Sequence, residues 1–139
     1  MNPTDLILSN FEKVSSIPRG SKNEAGIRNW LIDWATEHNC TFKTDAAGNL
    51  VIYVPASKGY EDRPTLILQG HLDMVCQKTS ESTHDFTKDP IQFIRDGDWI
   101  RANGTTLGAD NGIGIALMMS LVEDDSVKHP PLELLLTVE

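Results

Sequence analysis

The spacing of the apolar residues changes near residue 40, and this change limits the chain to folds that combine helices with a sheet. Before this point Ile27, Trp30, Leu31 and Trp34 recur at helical spacing, so one side of the segment is apolar. After it, NLVIYV, TLIL and LELLLTV are short apolar runs of the kind that form buried strands. Helix-like and strand-like segments alternate from there to the end of the sequence.

Start and stop signals place two helices in the first part of the chain. Asn2 followed by Pro3 is typical of a helix start, and Pro18 ends the apolar pattern that follows. A second helix is predicted from about Ser21 or Asn23, and its tryptophans are predicted to pack in the core.

Turn residues and apolar runs divide the rest of the chain into hairpins, strands and a helix. Hairpins are predicted within residues 41–54, with Gly48 in the turn, and within 91–102, with Gly97 in the turn. Strands are predicted over Thr65–Leu68 and 132–138, and a helix over Ile113–Glu123. We therefore predict an α/β fold, a three-layer α-β-α sandwich with a mixed sheet.

The composition excludes several classes of protein. The 139 residues carry a formal net charge of −8, which disfavours binding to nucleic acid or to an anionic membrane. No apolar run reaches the length of a membrane span and no signal peptide is visible, so a cytoplasmic location is expected. The two cysteines, Cys40 and Cys76, lack a metal-ligand spacing and are predicted to be reduced thiols.

The segment QGHLDMV follows the strand predicted at residues 65–68 with a histidine and an aspartate two positions apart. Residues i and i+2 of an extended segment lie on the same side, so His71 and Asp73 can meet at the carboxyl end of the strand. The carboxylate can then accept a hydrogen bond from the imidazole, as happens behind metal-bound histidines. In the alternative interpretation, His71 is a hydrogen-bonded surface residue and Asp73 caps a turn.

A second candidate, Asp110, lies in the glycine-rich segment GTTLGADNGIGIA ahead of a helix. Its carboxylate could approach a pair of divalent ions and bridge them, or it could be an ordinary N-cap. The loop from Gly104 to Gly114 also makes a nucleotide-binding module an alternative, because such loops can cradle phosphate. Against this alternative, the loop has no Lys or Arg, and Asp110 would repel a phosphate.

Five segments in this order resemble the aminoacyl-histidine (Xaa-His) dipeptidases, a branch of the di-zinc aminopeptidase/carboxypeptidase superfamily: SIPRGSKNE, DAAGNLVI, LILQGHLDMV, HDFTKDPI and GTTLGADNGIGIA. The resemblance runs from about Ile17 to the last residue and is specific at the level of whole phrases. It implies hydrolysis of dipeptides by a zinc-activated water, with a C-terminal histidine preferred. Small peptides are then the expected substrates, and neither nucleic acid nor a membrane is an expected partner.

The resemblance assigns roles position by position. It makes His71 a ligand of one zinc, Asp73 the catalytic aspartate that orients this histidine, and Asp110 the carboxylate that bridges both zincs. The peptide bond between Asp110 and Asn111 is expected to be cis. Manganese or cobalt would also suit oxygen and nitrogen ligands of this kind.

The family's general base and next zinc ligand are a Glu-Glu pair just after the strand that corresponds to LELLLTV. Glu139 is placed immediately before that pair, although a shift of one position would make it the base itself. Residues 1–139 thus correspond to the N-terminal part of the catalytic domain, truncated before its remaining ligands and its lid and dimerisation domain. We expect the full-length protein to form homodimers, and the 139-residue chain alone to self-associate and to be inactive. A non-catalytic binding or regulatory domain with the same fold is the remaining alternative.

Overall fold

The computed structural model describes residues 1–138, and in them the chain forms three helices and six strands. The elements are α1 (Pro3–Ser15), α2 (Ala25–Glu37), β1 (Thr41–Thr44), β2 (Leu50–Val54), β3 (Leu66–His71), β4 (Phe93–Asp96), β5 (Trp99–Ala102), α3 (Ala109–Glu123) and β6 (Leu132–Thr137). Asn2 caps α1 as predicted, since its side chain accepts a hydrogen bond from the backbone N–H of Asp5. None of the helices in this part of the chain has the length and apolar character that crossing a membrane requires.

The main sheet has the strand order β1-β2-β6-β3. β6 runs antiparallel to β2 and parallel to β3, so the sheet is mixed and the predicted α/β class is confirmed. The hairpin β4–β5 forms a separate two-stranded sheet, with Gly97 at its turn in a positive-φ conformation. Because β3 and β6 are parallel, their carboxyl ends lie at the same edge, and His71 pairs in register with Thr137 there.

Alternate residues of the two central strands form the floor of the core. Leu50, Ile52 and Val54 of β2 lie opposite Leu136, Leu134 and Leu132 of β6, and all six are at most 5% exposed. Val14 of α1, Leu31 of α2 and Ile115 of α3 belong to the same buried cluster. Trp34 is buried in it and Trp30 packs against it, as the helical spacing predicts.

The opposite face of the sheet is less covered. Val51, Tyr53 and Leu135 are half-buried there, and Ile67 is 58% exposed. In residues 1–138, therefore, the helices share a core with one face of the sheet, and they supply one helical layer of the predicted sandwich.

Three predicted elements differ in position from the observed ones, and one of them is α3, which begins at Ala109 rather than at Ile113. The strand predicted at Thr65–Leu68 extends from Leu66 to His71, because its pairing with β6 continues past the apolar run, and within residues 1–138 it lies at the edge of the sheet rather than inside it. The second helix begins at Ala25 rather than near Ser21 or Asn23. Gly20 forms a parallel bridge with Met74, and Lys22 has a φ of 71°, so this stretch lies beside the chain that follows β3 and cannot be helical.

Candidate functional site

His71 is the last residue of β3, and contacts with Asp73 fix the orientation of its ring. The Nδ1 atom lies 2.8 Å from the backbone carbonyl oxygen of Asp73 and 3.1 Å from its carboxylate Oδ1. Both of these oxygens can only accept a hydrogen bond, so Nδ1 carries the proton and donates it. In the neutral ring the proton is then on Nδ1, and the Nε2 atom has a free lone pair.

This Nε2 atom faces a carboxylate. It lies 3.0 Å from Oδ1 of Asp110, in the first turn of α3. Two lone pairs at this separation repel each other unless a cation lies between them, either a proton or a metal ion. Burial lowers the pKa of His71, but the hydrogen bonds and negative charges of Asp110 and Asp73 outweigh this effect and raise the pKa above its ordinary value.

The start of α3 brings Asp110 to this position through an irregular backbone. Gly108 has a φ of 78°, Asp110 and Asn111 have non-helical φ and ψ, and the peptide bond between them is cis, the geometry that the resemblance implies. The side chain of Asp110 is 96% exposed.

Two glycines hold the side chain of Asn111 between β3 and α3. A Cβ atom at Gly70 would lie 2.6 Å from Nδ2 of Asn111, and one at Gly114 would lie 2.2 Å from its Oδ1. Neither glycine can be replaced without moving this amide. The close approach of β3 and α3 therefore depends on both glycines.

Asp73 is held in place from its other side. The Ser21 hydroxyl donates to its Oδ2 atom at 2.7 Å, while Oδ1 accepts from His71. Both carboxylate oxygens of Asp73 are therefore hydrogen-bonded, and its side chain is only 15% exposed. Asp73 thus holds the histidine ring in a fixed orientation, on the side away from Asp110.

The structure brings together His71, Asp73 and Asp110 of the predicted site. Glu139 lies outside the described residues. In residues 1–138 no group of three or more His, Cys, Asp and Glu side chains is placed to hold a metal ion. His71 and Asp110 thus form a pair of candidate ligands, and Asp73 stands behind one of them.

Sequence reasoning missed the contributions of Ser21 and Asn111, and also that of Arg19, which lies buried behind the site. The sequence predicts Ser21 only as a possible helix start. No periodicity or spacing marks an arginine between Pro18 and Gly20 as buried, and the only signal was its presence in the family-like phrase SIPRGSKNE.

Comparison with known proteins gives consistent results. No family model matches the chain. The chain is 48% identical over 128 residues to the cytosol non-specific dipeptidase of Escherichia coli (strain K12), a match that covers 92% of this chain and 26% of that protein. The crystal structure of aminoacylhistidine dipeptidase from Vibrio alginolyticus matches 100% of this chain with a TM-score of 0.93 and 42% identity, over 29% of its own length.

A more distant structure, of a Bacillus subtilis protein described as a dinuclear metal binding peptidase from the M20 family, shows only the shared fold. It has a TM-score of 0.53 and 12% identity, over 98% of this chain and 35% of that one. The chain spans about a quarter of the length of the curated relative that it matches, which has 26% of its length covered.

Proposed function

The chain belongs to the aminoacylhistidine dipeptidase family, and we propose that it supplies part of a metal-dependent centre that hydrolyses dipeptides. The observation that supports the proposal most directly is the distance of 3.0 Å between His71 Nε2 and Asp110 Oδ1. The other ring nitrogen, Nδ1, is hydrogen-bonded to Asp73. A neutral imidazole nitrogen and a carboxylate oxygen that face each other need a cation between them, and both are good ligands for zinc.

The donor set fits a divalent metal ion. His71 and Asp110 would hold it, and oxygen and nitrogen ligands also suit manganese and cobalt. Oδ1 of Asp110 faces His71, and the side chain is 96% exposed, so this carboxylate would be accessible to metal ions. When bound, such an ion supplies Lewis-acid polarisation of a peptide carbonyl and lowers the pKa of water.

The residues of this chain have separate roles in that chemistry. Asp73 keeps the proton on Nδ1 and so presents the Nε2 lone pair to the site. Ser21 keeps Asp73 in place. Asp110 contributes negative charge, which attracts a cation and repels a phosphate, so the site suits a dipeptidase better than a nucleotide-binding module.

The names of the relatives support dipeptides as the substrate class. The Escherichia coli relative is described as non-specific and the Vibrio alginolyticus relative as acting on aminoacylhistidine. We propose that Xaa-His dipeptides are substrates and are preferred. The same Escherichia coli relative is described as cytosolic, which supports a cytoplasmic location.

The 139-residue chain alone is proposed to be inactive and to bind zinc weakly. Two ligands do not complete a tetrahedral zinc site, and residues 1–138 place no third His, Cys, Asp or Glu side chain beside them. Purified chain supplied with zinc, manganese or cobalt should therefore hydrolyse no Xaa-His dipeptide. Measurable turnover would contradict this statement.

A chimera tests the family function directly. This chain would replace the matching segment of the Escherichia coli dipeptidase, and hydrolysis of Xaa-His and other dipeptides would be measured with and without a chelator. We expect chelator-sensitive activity that is lost in His71→Ala and Asp110→Asn chimeras. Circular dichroism and gel filtration would show that each chimera is folded.

Two outcomes would count against the proposal. A folded chimera that binds zinc but hydrolyses no dipeptide would favour the non-catalytic alternative. Full activity in the Asp110→Asn chimera would remove Asp110 from the site. If the chimera does not fold, zinc titration of the 139-residue chain and its His71→Ala variant decides whether His71 binds metal.

A further inference from the structure

Arg19 is a charged side chain in the interior, and its contacts are with the backbone behind the candidate site. It is only 1% exposed. Burial lowers the pKa of Arg19 to about 10, although Asp73 acts in the opposite direction, so the guanidinium remains charged at neutral pH. Its side-chain hydrogen bonds go to backbone carbonyl oxygens. A buried charge of this kind is costly, and an apolar side chain would serve packing alone better.

The guanidinium joins the two segments that carry the candidate ligands. Its Nη1 atom donates to the carbonyl oxygens of Leu72, at 3.1 Å, and Asp73, at 3.3 Å, just after β3. Its Nη2 atom donates to the carbonyl oxygen of Gly108, at 2.6 Å, two residues before Asp110. One rigid, planar group thus sets the distance between the end of β3 and the start of α3.

One of these acceptors is shared with the histidine. The carbonyl oxygen of Asp73 accepts both from Arg19 and from Nδ1 of His71. The backbone of Arg19 adds a further contact to the same segment, because its carbonyl oxygen accepts from the N–H of Met74 at 2.9 Å. A displacement of the Arg19 guanidinium would therefore move the carbonyl oxygen of Asp73, which accepts the hydrogen bond from the His71 ring.

The space for this guanidinium depends on glycine at two positions near Asp110. A Cβ atom at Gly108 would lie 2.8 Å from Nη2, and one at Gly112 would lie 2.5 Å from the same atom. The glycine-rich segment at the start of α3, whose pattern also suggested phosphate binding, here makes room for an internal cation.

We propose that Arg19 is a positioning residue that sets the separation and orientation of His71 and Asp110 by tying together the carbonyl groups behind them. The proposal deepens the proposed function and rests on it where metal binding is concerned. Lysine cannot replace this role, because a single ammonium group does not present a planar fork to two separate segments.

The test compares Arg19→Lys and Arg19→Met with wild type in the 139-residue chain, with zinc affinity and the histidine NMR spectrum as readouts. Arg28→Met is the matched control, since Arg28 also donates to a backbone carbonyl, that of Gly48, but in the β1–β2 turn. All measurements would be made at a temperature where circular dichroism shows each variant to be folded. A merely structural arginine would change the melting temperature and leave the folded site unaltered.

We expect zinc affinity to fall by about 10–100-fold in Arg19→Lys and Arg19→Met, the effect typical of losing an outer-shell partner, and to be unchanged in Arg28→Met. The His71 ¹⁵N shifts should move from the single Nδ1–H form towards a mixture of tautomers. If both Arg19 variants fail to fold, Gly112→Ala keeps the arginine but displaces its guanidinium, and the same changes are expected. A folded variant with wild-type zinc affinity and unchanged His71 shifts would overturn the proposal.

The histidine spectrum separates this proposal from the proposed function. If the zinc affinity of the wild-type chain is too weak to measure, as two ligands alone allow, the tautomer of His71 still reports whether Arg19 positions the ring. Unchanged His71 shifts in the variants would then overturn the positioning role on their own.

Discussion

The Nε2 atom of His71 lies 3.0 Å from Oδ1 of Asp110, although the two residues are 39 positions apart in the sequence. The two residues lie at the ends of different elements. His71 is at the carboxyl end of β3, and Asp110 is at the irregular start of α3. The pair exists because α3 packs against β3 through Gly70 and Gly114, with Asn111 between them. The candidate site is thus a consequence of how one helix meets one edge strand.

The contact with Asp110 should be visible in the titration of His71 in metal-free protein. Burial lowers the pKa of His71, but the interactions with Asp110 and Asp73 outweigh it, so the pKa should lie above 6.5. Because the pKa of His71 is higher in the folded than in the unfolded protein, protonation of His71 stabilises the fold. This stabilisation is complete at a pH below the pKa in the unfolded protein, and it is lost as the pH rises through the pKa in the folded protein. NMR titration of the His71 Hε1 resonance would measure it.

Asp110→Asn tests the cause of this shift. Without the negative charge of Asp110 the pKa of His71 should fall, because the hydrogen bond and the charge that raise it are removed or weakened. An unchanged His71 titration in this variant would show that Asp110 does not face the ring in solution.

The sequence predicted where the helices and strands lie better than it predicted which strands pair with each other. Asn2 and Pro3 mark the start of α1 because capping is local chemistry, and the spacing of Ile27, Leu31 and Trp34 defines the buried side of α2. The edge position of β3 in the sheet that residues 1–138 form could not be predicted, since its parallel pairing with β6 joins Leu66 to Leu132. No local pattern contains information on such a distant partner.

The candidate site was predictable only in part for the same reason. The proximity of His71 and Asp73 follows from residue alternation in extended chain, and the structure shows it. The position of Asp110 beside them came from the resemblance to a family and not from spacing. Arg19 and Asn111 were missed because their roles depend on glycines in other segments, which only the folded chain brings close to them.

Gly114→Ala should destabilise the protein. A Cβ atom there would meet the whole amide of Asn111, with its Oδ1 atom 2.2 Å away, and Gly70 blocks the amide on its other side. We expect a loss of about 1–3 kcal/mol in the free energy of unfolding, as for other overpacked sites. Urea denaturation would measure it.

Gly26→Ala is the matched control for this prediction. Gly26 also lies in a helix, α2, but a Cβ atom there would be 3.7 Å from the nearest side chain, an ordinary contact. This change should be neutral or slightly stabilising, because alanine favours helices. Equal effects at positions 26 and 114 would show that the close packing of Gly70 and Gly114 around the Asn111 amide does not constrain the fold.

Leu134→Ala should be among the most damaging changes to the core. Leu134 is 1% exposed and lies between Ile52 and Leu68 on the buried face of the sheet. Its truncation should cost about 2–5 kcal/mol of unfolding free energy. Ile67→Ala, on the open face, should stay within about 0.5 kcal/mol of wild type. A cost at position 67 as large as that at 134 would mean that the open face is covered in solution.

The exposed edge of the sheet should make the 139-residue chain self-associate. β3 pairs with β6 on one side only within residues 1–138, and Leu66 and Ile67 are 47% and 58% exposed. An unpaired apolar edge strand is a template for pairing with another chain, and a lysine on such a strand prevents it. Ile67→Lys should therefore reduce the apparent mass in size-exclusion chromatography with light scattering.

Trp99→Lys is the control, because Trp99 is 78% exposed but lies in the separate β4–β5 hairpin, and it should leave association unchanged. A wild-type chain that remains a monomer over the accessible concentration range would contradict the prediction, as would dissociation caused by Trp99→Lys alone.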